Sequence, residues 1–181
     1  MSGNDAAAEF GAVPVLRFAR RLRHPREMVW RALTEDDHLD AWFPTTIEGA
    51  RATSAPLRFS FREGEGDSFT GAMRVFDPPS VMELQWGPDI VRFELHREGD
   101  TVTRLDLVVT FSEWGKASRD GAGWHVCLDR LVSVIDGVKP TWSVADRWRE
   151  VHRVYVEQLG PDASVLGPPE EWERANPPSD Q

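Results

Sequence analysis

The sequence predicts an α+β fold in which a curved antiparallel sheet grips one long C-terminal helix. Three observations carry that expectation. From Leu57 to Phe111, apolar residues alternate with polar ones in runs separated by short turn clusters, the period of half-buried strands. After Gly121 the period becomes helical, with Trp124, Leu128, Leu131, Val132 and Ile135 on one stripe. A sheet with one apolar face must be covered, and the striped helix is the available cover.

The elements follow in order. Residues 1–12 are polar and Ala-rich and are expected to be a disordered tail ahead of a domain over residues 13–138. A first strand reads from Val15 to Arg23, with Leu16, Phe18 and Leu22 on one face and Arg17 and Arg21 on the other. Pro25 suits the first turn of a helix, where its missing N–H would have been unpaired anyway. Met28, Val29, Ala32 and Leu33 give that helix its apolar stripe. Thr34 stands as N-cap of a second short helix, with Asp37 three residues on, and Pro44 ends it after Trp42 and Phe43.

Next, Leu57, Phe59 and Phe61 alternate with Arg58, Ser60 and Arg62 before a turn cluster at Gly64-Glu65-Gly66-Asp67. Phe69, Gly71, Met73 and Val75 share one face of the following strand, closed by Asp77-Pro78-Pro79-Ser80. Met82, Leu84 and Trp86 alternate with Glu83 and Gln85 up to the Gly87-Pro88-Asp89 turn. Val91, Phe93 and Leu95 form the next inward set, and Leu105, Leu107, Val109 and Phe111 follow the hairpin signal Glu98-Gly99-Asp100. Short turns between successive strands mean an antiparallel meander with one buried face and one wet face. Gly137 is placed to stop the long helix. A helical extension over residues 139–160 is capped by Ser143 toward Asp146, carries Trp148, Val151, Val154 and Tyr155, and ends at Gly160-Pro161. Residues 161–181, rich in Pro, Glu and Asp, are expected as a loosely attached tail.

Composition narrows the function classes. A chain of 181 residues suits one domain, and its 8 Trp and 9 Phe are enough for a packed interior or an apolar pocket. The single cysteine, Cys127, excludes an internal disulfide and fits a reducing compartment. The N-terminus has no apolar run behind a basic start, and no stretch approaches the roughly 20 apolar residues of a membrane span. The net charge of -9 argues against binding a phosphate backbone. The expected compartment is the cytoplasm, with no nucleic-acid partner.

Several short motifs together resemble the helix-grip superfamily, which includes the START lipid-transfer domains and the birch-pollen-allergen-like proteins. Within it the chain resembles the activator of heat-shock-protein-90 ATPase homologue family. The motifs are Pro25 with Val29-Trp30-Arg31-Ala32-Leu33-Thr34, Leu39 with Trp42-Phe43, the Asp77-Pro78-Pro79 turn, Trp86, and Gly123-Trp124 with Cys127-Leu128 and Leu131. The resemblance spans roughly Val13 to Gly137. It implies a fold with a cavity and a family of diverse functions.

Chemical candidates are few. His125 and Cys127, two residues apart on a helix, project to different sides, whereas His125 and Asp129 share a face and are expected as a hydrogen-bonded surface pair. No two of the five histidines stand at i,i+4, so no metal site is expected, and no phosphate loop or cofactor motif is present. The inward strand positions contain no titratable group, leaving Arg20, His125 and Glu113 as the polar side chains that could reach inward. The inward set either fills a solid core or lines a cavity for a small hydrophobic molecule. Trp42, Phe43, Trp86, Phe93, Trp124 and Leu128 are the first candidates for its walls, since the paired short helices close the pocket mouth in the fold the chain resembles. Phe59, Met73, Leu107 and His125 complete the candidate set. Trp114, Trp142, Trp148 and Trp172 fall outside the alternation and are expected to pin the last helix and tail to the domain. Binding of a hydrophobic ligand is the first reading. A protein-interaction or chaperone-regulating domain, or a homodimer, is the second, and a cyclase or dehydratase-type enzyme the third.

Overall fold

The computed structural model of the chain describes residues 6–10, 13–62 and 66–177. Eight strands form one sheet, all neighbours antiparallel, in the order β1-β2-β8-β7-β6-β5-β4-β3. They are β1 Ala6–Phe10, β2 Pro14–Leu22, β3 Thr45–Glu48, β4 Pro56–Phe61, β5 Phe69–Asp77, β6 Val81–Trp86, β7 Asp89–Arg97 and β8 Thr103–Thr110. The helices are α1 Arg26–Thr34, α2 Asp36–Trp42, α3 Ala117–Asp136, α4 Val144–Leu159 and α5 Glu170–Ala175.

Alternation puts Leu16 and Phe18 of β2, Phe59 of β4, Met82 and Leu84 of β6, Val91 and Phe93 of β7 and Leu105 and Leu107 of β8 in one continuous core. Each such side chain, fully buried, contributes about 1.5–3 kcal/mol of apolar transfer. The apolar stripe of α3 lies on this face, with Trp124, Leu128, Leu131 and Ile135 all buried. The helix comes close to β2 because Gly121 has no side chain: a Cβ there would stand 2.6 Å from Leu16 Cδ2. Gly137 ends α3 in the left-handed conformation, φ 66, and Ser143 Oγ accepts from the Asp146 N–H at 3.1 Å to start α4, both as the sequence predicts.

Three local expectations need correction, and one strand has no signal in the sequence. Thr34 does not cap α2; it closes α1, where its Oγ1 donates to the Trp30 carbonyl at 2.8 Å. A hydroxyl that bonds back to the carbonyl four residues earlier stays helical, so the break moves to Glu35, which is extended. Val75 does not share the face of Met73, because a bulge between them shifts the register: Val75 opposes Glu83, and Phe76 opposes Met82 and reaches Trp30. β3 carries one apolar residue in four and gives no readable alternation; it forms because the edge of β4 is there to pair with it. Residues 6–10 are not a tail but an edge strand, in register with β2 from Ala6↔Phe18 to Phe10↔Pro14. Alanine has little strand propensity of its own, and the open edge of β2 supplies the hydrogen bonds that decide it. The rest of that tail, residues 1–5 and 11–12, lies outside the described residues, as do residues 63–65 of the turn cluster.

The C-terminal segment is also attached rather than loose, as far as residue 177. Ala163 is buried, the Leu166 N–H donates to the Gly115 carbonyl at 2.8 Å, and the Ser118 and Ser164 hydroxyls meet at 2.8 Å. Glycine at 115 permits this, since a Cβ there would lie 3.1 Å from the Val165 side chain. Trp172 of α5 then packs on Trp148 of α4, centroids 4.8 Å apart, the pinning role expected of both.

Candidate functional site

The end of the sheet, the first half of α3, α4 and the C-terminal segment enclose an open cleft of about 350 Å³. Phe61 and Trp86 reach it from the last residues of β4 and β6. Gly123, Trp124 and Cys127 come from α3, Trp148 from α4, and Pro168, Pro169 and Trp172 from the C-terminal segment. Trp86 and Trp124 meet edge to face at 5.4 Å, a favoured geometry for rings whose faces are negative and edges positive.

Behind these walls stands a second aromatic layer. Phe43 touches Trp86 and Trp124 at 5.5 and 5.8 Å, Phe59 lies 4.8 Å from Trp86, and Phe93 and Trp42 continue inward. Of the ten residues expected as walls, Trp86 and Trp124 line the cleft. Trp42, Phe43, Phe59, Met73, Phe93, Leu107 and Leu128 do not line it; they belong to the core. Alternation reports which face a side chain takes, not how far neighbours fill the space before it.

The polar rim consists of Asp89, Arg119 and Asp120. Asp89, buried, accepts from the Ser112 N–H and Oγ at 2.9 Å each on one oxygen, and from Lys116 Nζ at 2.6 Å on the other. With both oxygens engaged it holds the start of β7 to the segment before α3. Arg119 donates from Nε to Asp120 at 2.6 Å, and its two terminal amino groups make no hydrogen bond among the described residues. Cys127 is no nucleophile here, since burial pushes its thiol up to about 12 while Arg130 acts the other way. Alternation marks Phe61 as an inward strand position but not as a wall; Asp89 on β7 and Arg119 on α3 are missed because the period marks apolar positions only, and the C-terminal prolines follow no period.

His125 is the other departure. It is neither a surface residue nor a wall of this cleft: it is buried between α3 and α4, with Nδ1 2.8 Å from the Tyr155 hydroxyl. Its Nε2 stands 3.6 Å from Asp129, beyond hydrogen-bond reach, and 3.4 Å from terminal nitrogens of both Arg20 and Arg147. Arginine only donates, so Nε2 carries the lone pair and Nδ1–H donates to Tyr155. Asp129 is instead held by Arg147 at 2.8 Å and approached by Arg20 at 3.7 Å. Burial of His125 follows from α4, which covers the face of α3 that the domain alone would leave wet. Arg20 does reach inward, as expected, whereas Glu113 is exposed.

On the outer sheet face, Glu94, His96 and Asp106 bring one potential ligand atom each within 4.8 Å of one another. Arg92 already bonds one oxygen of Glu94 at 2.5 Å and Arg104 one oxygen of Asp106 at 3.0 Å, so both carboxylates are partly neutralised by guanidiniums. Among the described residues, no helix is long and apolar enough to cross a membrane.

Comparison with known proteins agrees with the architecture. Among solved structures, a conserved protein of unknown function from Enterococcus faecalis, EF2215, superposes with a TM-score of 0.71 at 20% identity, covering 90% of this chain and 92% of that one. CalU16 from Micromonospora echinospora gives 0.66 at 20% identity, covering 90% and 96%. A Bordetella parapertussis protein encoded by gene BPP1335 gives 0.67 at 23%, covering 88% and 95%. At these identities the likeness is one of fold. No curated protein matches the sequence. The model of the family described as Activator of Hsp90 ATPase homolog 1-like protein matches residues 23–136. The chain belongs to the Activator of Hsp90 ATPase homolog 1-like protein family.

Proposed function

We propose that this protein binds a small hydrophobic molecule in the cleft between the sheet end, α3 and the C-terminal segment, without catalysing a reaction on it. One observation carries this reading: an open space of about 350 Å³ walled by Phe61, Trp86, Trp124, Trp148 and Trp172. Aromatic walls around a concave space suit apolar ligands. At about 0.5 kcal/mol per heavy atom, a ligand of about twelve heavy atoms gains ~6 kcal/mol, a dissociation constant of tens of micromolar. Both oxygens of Asp89 are engaged by Ser112 and Lys116, Asp120 is engaged by Arg119, and the thiol on the wall is held protonated.

Gly123 provides the test. It lines the cleft, and a Cβ there has nothing within 4 Å. Leucine at this helical position fills the cleft while gaining up to about 1 kcal/mol of helix propensity over glycine. Calorimetric titration with naphthalene should give saturable binding to the native chain and none to Gly123→Leu, with the variant as stable as the parent. Equal binding to both proteins would place the ligand elsewhere. Native mass spectrometry on freshly purified protein would add the mass of any ligand retained from the cell.

A further inference from the structure

We propose that the cleft selects planar aromatic carboxylates, with Arg119 as the residue that takes the carboxylate. The inference rests on the cleft being the ligand site and adds the class of ligand. Three observations support it. First, Arg119 lines the same space as Trp86, Trp124 and Trp148, so an apolar ring and a polar substituent can be engaged together. Second, among the described residues Arg119 spends only Nε, on Asp120, and both terminal amino groups retain their donors. A guanidinium presents parallel N–H groups that match the two oxygens of a carboxylate. Third, the other charges at the rim are already answered: Lys116 holds Asp89 at 2.6 Å and stands 4.0 Å from Asp120. A ligand carboxylate therefore meets an available donor pair rather than an uncompensated acid.

The net charge of -9 opposes an approaching anion, but that field is screened over about 8 Å at physiological salt, while the contact with Arg119 is made at hydrogen-bond distance. The walls favour flat rings over flexible chains, because Trp faces and edges reward ring contacts at specific distances that an alkyl chain does not satisfy.

The experiment is calorimetric titration of the full chain with naphthalene, its neutral 2-acetyl derivative and naphthalene-2-carboxylate. The variants are Arg119→Met, which keeps much of the stem and removes the donors, and Arg119→Lys, which keeps the charge and loses the fork. The native chain should bind the carboxylate about tenfold more tightly than the ketone. Arg119→Met should erase that preference while still binding naphthalene saturably, and Arg119→Lys should restore only part of it. Equal binding of carboxylate and ketone by the native chain, or a preference that survives in Arg119→Met, overturns the role of Arg119 while leaving the cleft as the ligand site. Failure of all three probes to bind overturns the cleft reading itself. Circular dichroism of each variant separates a lost contact from a lost fold.

Discussion

His125 on α3 donates from Nδ1 to the Tyr155 hydroxyl on α4 at 2.8 Å, and this buried bond joins the family domain to its helical extension. Phe18 of β2 meets both rings edge to face, at 6.4 Å from His125 and 6.3 Å from Tyr155, so sheet, α3 and α4 converge on one pair. Tyr155→Phe removes the acceptor and leaves a buried N–H without it, at a cost of about 1–3 kcal/mol. Urea unfolding should show a lower midpoint with an unchanged slope. An unchanged midpoint would mean that the hydroxyl contributes nothing to holding α4.

Two glycines mark where backbones touch. At Gly71 an added Cβ would lie 2.0 Å from the Gln85 carbonyl oxygen, across the β5–β6 pair. Gly71→Ala must push those strands apart and should destabilise by about 3 kcal/mol, near the upper end for overpacking. Gly123→Ala, with open space around its Cβ, is the control and should be neutral or stabilising. Thermal melts of the two variants side by side check the contrast.

The Asp89–Lys116 pair lies at 6% and 11% side-chain exposure, so removing one partner strands the other. Asp89→Ala should cost roughly 2–4 kcal/mol, less than for a fully isolated charge because Asp120 remains 4.0 Å from Lys116. Asp89→Ala combined with Lys116→Met should recover part of that loss in chemical denaturation. If the double variant is no better than the single one, the penalty does not come from the abandoned ammonium.

Acid should act in part through Glu83. Burial alone would raise its carboxyl, but hydrogen bonds from Arg92 at 2.9 Å and Arg74 at 2.8 Å outweigh that and leave it below its ordinary value of 4.5. A lowered folded-state value stabilises above the ordinary carboxylate range, and the contribution is lost as pH falls through the lowered value. Glu83→Gln should therefore melt below the parent at pH 7, with the gap closing in acid. A gap that stays constant from pH 7 to pH 2 would show that ionisation of Glu83 is not its source.

With its thiol pushed up to about 12, Cys127 should react with a disulfide reagent at pH 8 roughly a thousandfold more slowly in the folded chain than in urea. Comparable rates in the two states would mean that this part of α3 opens readily.

The strands and α3 were legible because their side chains repeat with a period of 2 or 3.6, and Phe93 or Leu128 on the inner face follows from position alone. The motif around Trp30, Trp42 and Trp124 carried the family as well. Asp89 and Arg119 were not legible: each draws its role from partners brought together by folding, Lys116 for one and the C-terminal segment for the other. Trp148 and Trp172 were rightly expected to pin the tail, but that their contact also closes one side of a cleft depends on where Pro168 and Pro169 lie. His125 was misplaced for the same kind of reason, since what covers it is α4, a helix outside the matched family region.

The sheet order has a consequence for how the protein comes into being. β2 ends beside β8, so Phe18 meets Leu107 about ninety positions later in the chain, a separation that slows closure relative to hairpin contacts. On a ribosome, β2 emerges with β1 as its only ready neighbour and waits while the meander from β3 to β8 assembles. The His125–Tyr155 bond forms later still. Translation speed through residues 23–110 therefore governs how long the apolar side of β2 stays open to chaperones or to the same segment of another nascent chain.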